Sequence, residues 1–247
     1  MANKTKLKVL VIVSLIGATL SIILYQYGIW PFPKVVEIAT IEITSDKDKD
    51  GITDLQDIVE GARLQIKKKP RYKSIYYKGG YPPQSEGVCT DLIWRAFKNA
   101  GYDLKALVDE DIKKAENEYY RVLEFGGPDP NIDFRRVQNL AVFLKRNAQS
   151  LTTIVDPTDI NNLVQWQAGD IVCFKNHIGI VSNKRLRNGV PLMIHHSYRY
   201  PNEGNYLINS KQQITGHYRY PKQVKQTSQA KNEKISRKLW GLQLFTK

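Results

Sequence analysis

Read by polarity alone, the chain changes period twice. From Val9 to Pro33 no charged residue interrupts an apolar run, and Lys4, Lys6 and Lys8 precede it. A bilayer-spanning helix needs about 20 such positions, so the run predicts a transmembrane helix with its lysine end cytoplasmic. The rival is a cleaved signal peptide, whose apolar core would be about 7–15 residues with an A-x-A-like exit; no such exit follows here. Residues 34–45 alternate apolar and polar, as a tether or a short strand would. Over residues 54–67, Leu55, Ile58, Val59, Ala62 and Ile66 recur at helical spacing. A loop rich in Pro and Gly follows. Leu92, Ile93, Ala96, Phe97 and Ala100 then form a second helical stripe, with Gly101 suited to cap it.

The last third alternates with period two. "DIVCF", "HIGIVS" and "VPLMIHHS" read as strands, the last two joined through the Asn188-Gly189 turn, and "ITGHYRY" reads as another. Helices come first and an antiparallel sheet follows, so the expected class is α+β. The expected organisation is residues 1–34 for the anchor, 35–57 for a linker, 58–220 for the main domain and 221–247 for a basic tail. That tail is expected to be disordered, to lie along anionic polymer, or to return to the membrane through Leu239, Trp240, Leu242, Leu244 and Phe245.

Charge narrows the partners. Thirty-seven Lys and Arg against 24 Asp and Glu give a net charge of +13 over 247 residues, which favours anionic polymers or anionic lipid. Nucleic acid is set aside: no helix-turn-helix, zinc-finger or aromatic RNA-binding pattern is present, and the anchor puts the domain outside the cytoplasm. Within the linker, "SDKDKDGITDLQD" places Asp46, Asp48 and Asp50 at alternate positions, followed by Gly51, Asp54 and Asp57. Calcium takes six to eight oxygen ligands, which closely spaced carboxylates around a Gly turn supply. The alternatives are a structural calcium loop using these five aspartates, or a solvated linker with a helix N-cap near Thr53 or Asp54. Asp57 stands where a bidentate Glu is usual.

The chain has two cysteines and four histidines. Cys89 opens the second helix, whereas Cys173 lies inside an apolar strand; two free thiols with unequal roles are expected, although an exported domain could pair them. A helix N-terminus favours thiolate and offers N–H groups to an oxyanion. Cys89 is therefore expected at an exposed, electropositive end. A nucleophile also needs a base and a group to orient that base. His177 begins one strand and His195 lies on its hairpin partner, so the two imidazoles can meet beside Cys89. His196 competes with His195 for the orienting role, and His217 reads as structural.

"GVCTDLIWRAF", "WQAGDIVCF", "HIGIVS" and "LMIHHS" together resemble the Cys-helix, Gly-Asp-strand and two His-strands of NlpC-type cell-wall cysteine peptidases, in the papain-like superfamily. "PDPNIDFRRVQNLAVFLKRN" and "ITGHYRY" more closely resemble a bacterial family within it whose function is undefined. The resemblance runs from about residue 54 to 220. It implies a papain-like fold, nucleophile Cys89, base His177, orienting residue His195, and peptidoglycan peptides as substrates cut at an amide, with no cofactor needed for catalysis. The usual Asp before the cysteine is Val88 here, and Asp91 is expected to take over part of its hydrogen bonding. Tyr72 or Tyr76 would assist the oxyanion or thiolate. Asp133, Arg135 and Arg136 would either hold substrate carboxylates or brace their loop. Asp170 reads as a turn or strand-start residue. The expectation is a monomeric, single-pass, outward-facing thiol hydrolase; an acyltransferase with the same triad and an inactive wall-binding module are the alternatives.

Overall fold

The computed structural model describes residues 2–26, 35–41 and 43–222. The basic tail beyond residue 222, and residues 27–33 of the uncharged run, lie outside the described residues. Helix α1 (Ala2–Gln26) leaves its apolar side chains from Val9 to Ile23 exposed. Among the described residues, no helix is long and apolar enough to cross a membrane. The anchor expectation therefore rests on the sequence run, which continues past Gln26. Residues 35–41 belong to no helix or strand. They lie along the domain, with the Val36 N–H donating to the Arg187 carbonyl (2.9 Å) and Gln167 Nε2 to the Ala39 carbonyl (3.0 Å).

Helices precede sheet, as the change of period requires. Helix α2 (Asp54–Lys68) starts at Thr53, whose N–H donates to Gln56 Oε1 at 3.3 Å. After a parallel two-residue pairing of β1 (Arg71–Tyr72) with β2 (Glu86–Gly87) come α3 (Cys89–Asn99), α4 (Leu104–Ala115), α5 (Tyr120–Glu124) and α6 (Val137–Asn147). The rest comprises β3 (Gln149–Ser150), α7 (Ile160–Gln165), β4 (Ile171–Phe174), β5 (Ile178–Arg185), β6 (Pro191–His195), β7 (Asn202–Gly204), α8 (Tyr206–Asn209) and β8 (Ile214–Arg219). The larger sheet is antiparallel in the order β3-β8-β4-β5-β6-β7.

Alternation along each strand sends side chains to opposite faces. Ile171, Cys173, Ile178, Ile180, Ile194 and Tyr218 face the helices, and Val172, Phe174, Val181, Met193, Trp166 and Leu207 form a second core on the reverse. Helices α2 and α3 cross at Gly61, where an added Cβ would stand 2.7 Å from Asn99 Cβ and 2.9 Å from Ala96 Cα. That close approach lets Ile58, Leu92, Ile93 and Phe97 be fully buried, at about 1.5–3 kcal/mol each. The consequence for function is positional. Helix α3 lies on the sheet with its first residue, Cys89, against the start of β5.

Candidate active site

Cys89 follows Val88, whose extended backbone (φ −128°, ψ −174°) turns the chain into α3. The Val88 N–H donates to Asp91 Oδ2 (2.8 Å), so the acid three residues inside the helix caps it. Asp91 also accepts from Trp94 Nε1 (2.9 Å) and, bidentately, from Arg135 Nε (2.8 Å) and Nη2 (3.0 Å). The pair is buried on both sides. Arg135 reaches further, donating from Nη1 to the Ile75 carbonyl (3.0 Å) and lying over the Tyr77 ring, while its own carbonyl accepts from Thr90 Oγ1 (3.0 Å). One guanidinium thus fixes the helix start, the tyrosine loop and the Asp133–Arg135 turn.

Cys89 is buried at 7% exposure, not left open as the helix-end reading expects. The N–H groups of Ile178, Thr90 and Cys89 itself converge on Sγ and favour thiolate, but burial outweighs them and the nearby Asp91 adds to it, so the thiol is pushed up to about 11. Desolvation is the largest of these effects. Cys173 is wholly buried in the same core, unbridged, and its thiol is likewise pushed up by burial.

The Ile178 N–H on Sγ places the backbone that carries His177 beside the thiol. His177 Nε2 lies 2.9 Å from His195 Nδ1, a pairing set by the hairpin in which Gly179 opposes His195. His195 in turn hydrogen-bonds the Asn202 side chain, its opposite number on β7. If the Asn202 oxygen accepts, His195 carries its proton on Nε2 and its Nδ1 accepts from His177 Nε2–H. His177 is then left with a lone pair on Nδ1, the nitrogen still available to a thiol. Burial first, and the neighbouring His195 and His196 next, pull His177 down to about 3. Burial thus favours the uncharged form of both the thiol and the imidazole. Tyr206 packs on both rings, with centroids 5.1 Å from His177 and 4.3 Å from His195.

His196 points the other way along the same strand. It is tied to the Arg199 backbone, and its Nε2 is buried without a hydrogen-bond partner. Tyr72 meets it edge-on (centroids 5.2 Å) and stands close enough to Cys89 that a thiolate there would disfavour ionisation of the Tyr72 hydroxyl, so Tyr72 and His196 lie on the thiol's side. Tyr76 does not join them: it is exposed, and its hydroxyl sits among Asp129 and Asn131. Arg136 is held by Asp133 Oδ1 (2.9 Å) and stacks over Phe125. Both arginines that could have held substrate carboxylates are therefore engaged in bracing their own loop. Asp170 accepts from the Gln167 N–H and from Arg219 and lies 3.0 Å from His217 Nε2. His217 stacks on Trp166 at 3.8 Å, in a separate buried cluster joining β4 to β8.

Sequence reasoning misses Asn202 and Tyr206. Strand β7 has three residues, too few to carry a period, so only its pairing with β6 reveals Asn202; Tyr206, on the four-residue α8, is revealed only by its packing on the two imidazoles. A groove of about 600 Å³ lies between Tyr81, Trp94, Tyr102 and Leu104, at the far end of α3; none of the thiol-site residues lines it.

Comparison with known proteins adds the family. The "Uncharacterized protein YijF" of Escherichia coli (strain K12) is 39% identical over 172 residues, covering 66% of this chain and 80% of that protein. No solved structure matches. The family model described as a domain of unknown function (DUF1287) matches residues 59–220, from inside α2 to the end of β8, and the chain belongs to that family.

Proposed function

We propose that this protein is a thiol hydrolase of the NlpC-type, papain-like kind that cleaves an amide bond of peptidoglycan peptides outside the cytoplasm, held to the membrane by its N-terminal run. The observation that carries the reading is the convergence at Cys89. Three backbone N–H groups face its sulfur, one of them from Ile178, and the residue before Ile178 is His177, which pairs with His195 and through it with Asn202. The order of elements supports the kinship, with a cysteine in the first turn of a helix and histidines on two paired strands beneath it. The net charge of +13 supports an anionic wall polymer as the partner.

In the reaction, His177 Nδ1 takes the proton of the Cys89 thiol as sulfur attacks the amide carbonyl. The N–H groups that now face Sγ lie where the developing oxyanion needs donors. His177 then gives that proton to the leaving amine, and a thioester on Cys89 remains. Water, deprotonated by His177, attacks the thioester; the tetrahedral adduct expels the thiolate, which recovers a proton from His177, and the acid is released. His195 holds His177 in the required tautomer through its Nδ1 lone pair, and Asn202 does the same for His195. Arg199 is an exposed basic residue whose backbone already anchors His196 and Tyr72. It takes the substrate-carboxylate role that Arg135 and Arg136 cannot fill.

The test uses the full chain in detergent with purified peptidoglycan, reading new amine and carboxyl ends by mass spectrometry. Wild type is expected to release both, and Cys89→Ala to lose at least about 10³-fold of that rate while keeping its melting temperature. Products with a new amide in place of a carboxyl would instead mean acyl transfer. Binding without products in either protein would sink the enzymatic reading.

A further inference from the structure

Residues 46–57 form a tightly wound loop leading into α2. Asp46 Oδ1 accepts from the Lys49 N–H (2.7 Å) and Oδ2 from the Gly51 N–H (3.0 Å), and Asp50 Oδ1 accepts from the Ile52 N–H (2.8 Å). Lys49 and Gly51 both take positive φ, 62° and 92°, which turns the chain back on itself within the loop. One carboxylate oxygen from each of Asp46, Asp48 and Asp50 lies within 4.8 Å of the others. Oxygens that share one calcium ion at 2.3–2.6 Å are at most about 5 Å apart, so the spacing suits a single ion.

An acidic loop alone proves little, since exposed carboxylates tolerate one another in water. Asp57 is different. It is 4% exposed, and its Oδ2 is buried with no hydrogen-bond partner. It also lies within the field of Asp50 and Asp48, which add to burial in disfavouring its charge. A buried carboxylate oxygen without a donor is costly, and nothing described in the protein supplies one here. Asp54 is tied into the body of the fold: Oδ1 accepts from the Lys47 N–H (2.8 Å) and Oδ2 from the Tyr102 hydroxyl (2.7 Å). Of the five aspartates expected, the carboxylates of Asp46, Asp48 and Asp50 cluster.

We propose that Asp46, Asp48, Asp50 and Asp57 bind one calcium ion, with the orphaned Asp57 oxygen closing the site from the first turn of α2. Counting from Asp46, Gly51 falls sixth, where such loops need a sharp turn; Ile52 falls seventh, where a backbone carbonyl serves; Asp57 falls twelfth, the closing position. Lys47 and Lys49 alternate with the ligands and are exposed. The site is a clamp on the fold and lies outside the thiol chemistry. The Asp57 carbonyl accepts from Asn99 Nδ2 (2.9 Å) at the end of α3. A Cβ on Gly101 would stand 3.0 Å from Asp48 Cβ, so the loop rests on the turn that ends the Cys89 helix. The ion would thus join the loop, the start of α2 and the end of α3.

The full chain in detergent, stripped with chelator, is melted with and without millimolar calcium. Wild type is expected to gain about 5 °C or more, and the same concentration of magnesium to give a smaller rise, because magnesium dehydrates reluctantly and demands stricter geometry. Asp48→Asn should lose most of the calcium-dependent gain. Asp57→Asn supplies the sharper reading: without calcium it should melt no lower than wild type, because an unpaired buried charge is gone, yet calcium should no longer raise its melting temperature. No calcium-dependent rise in wild type, or an equal rise in both variants, overturns the proposal. Peptidoglycan cleavage plays no part in this readout, so failure here is distinct from failure of the hydrolase reading.

Discussion

At Cys89 two effects of the same fold oppose each other. The helix start and the Ile178 amide offer the sulfur N–H groups, while close packing removes water from it, and the thiol ends near 11. A cysteine read from its helix position alone would be assigned a low pKa; the cover that reverses this comes from residues far away in sequence. The prediction is kinetic. Alkylation of Cys89 by iodoacetamide in the substrate-free protein should be slow at pH 7 and still be climbing above pH 9; a plateau reached by pH 6 would mean a preformed thiolate–imidazolium pair. Cys173, in the same core but fully buried, should react only on unfolding. The rivalry between His195 and His196 belongs to this scale too. Adjacent residues on a strand face opposite ways, so one meets His177 and the other meets Tyr72. Which does which depends on register.

At the scale of elements, α3 is held at its first turn by a single ion pair. Asp91 and Arg135 are 44 positions apart, and both are buried. Removing one member of such a pair leaves the other charge uncompensated, at a cost of about 3–5 kcal/mol. Arg135→Ala should lower the urea midpoint accordingly and disorder the Cys89 turn. Arg135→Met together with Asp91→Leu should recover much of the loss, because the double change leaves no unpaired charge. If Arg135→Ala alone shifts stability by less than about 1 kcal/mol, the brace is not what holds the turn. The "NIDFRR" segment stands out in the sequence as charge in an apolar setting, and both bracing and substrate binding fit it equally. Only the approach of Asp91 decides for the brace.

For the molecule as a whole, the histidines set an acid limit. Burial, together with their mutual proximity, lowers His177 to about 3 and His195 and His196 to about 4 each, from the ordinary 6.5. Between those values the unfolded chain binds protons that the folded one refuses, so stability rises with pH across that window. Acidification from pH 6.5 toward 4 should therefore lower the melting temperature steadily. His196→Gln, which keeps a polar side chain but cannot titrate, should make that slope shallower. An identical slope in the variant would show that other groups dominate the acid response.

The sequence by itself determined the α+β class, the helix stripes behind Gly61 and Cys89, and the paired strands that carry His177 and His195. Each of these follows from short-range periodicity and turn chemistry, which a chain displays before it folds. The tertiary structure decided which of neighbouring like residues serve. It admits Tyr72 beside the thiol and leaves Tyr76 in solvent, commits Arg135 to Asp91, turns Asp54 onto Tyr102 and leaves Asp57 orphaned, and brings Asn202 behind His195. It also buried a cysteine that its helix position alone would expose. Those choices depend on desolvation and on partners distant in sequence, and neither exists until the sheet and helices have packed.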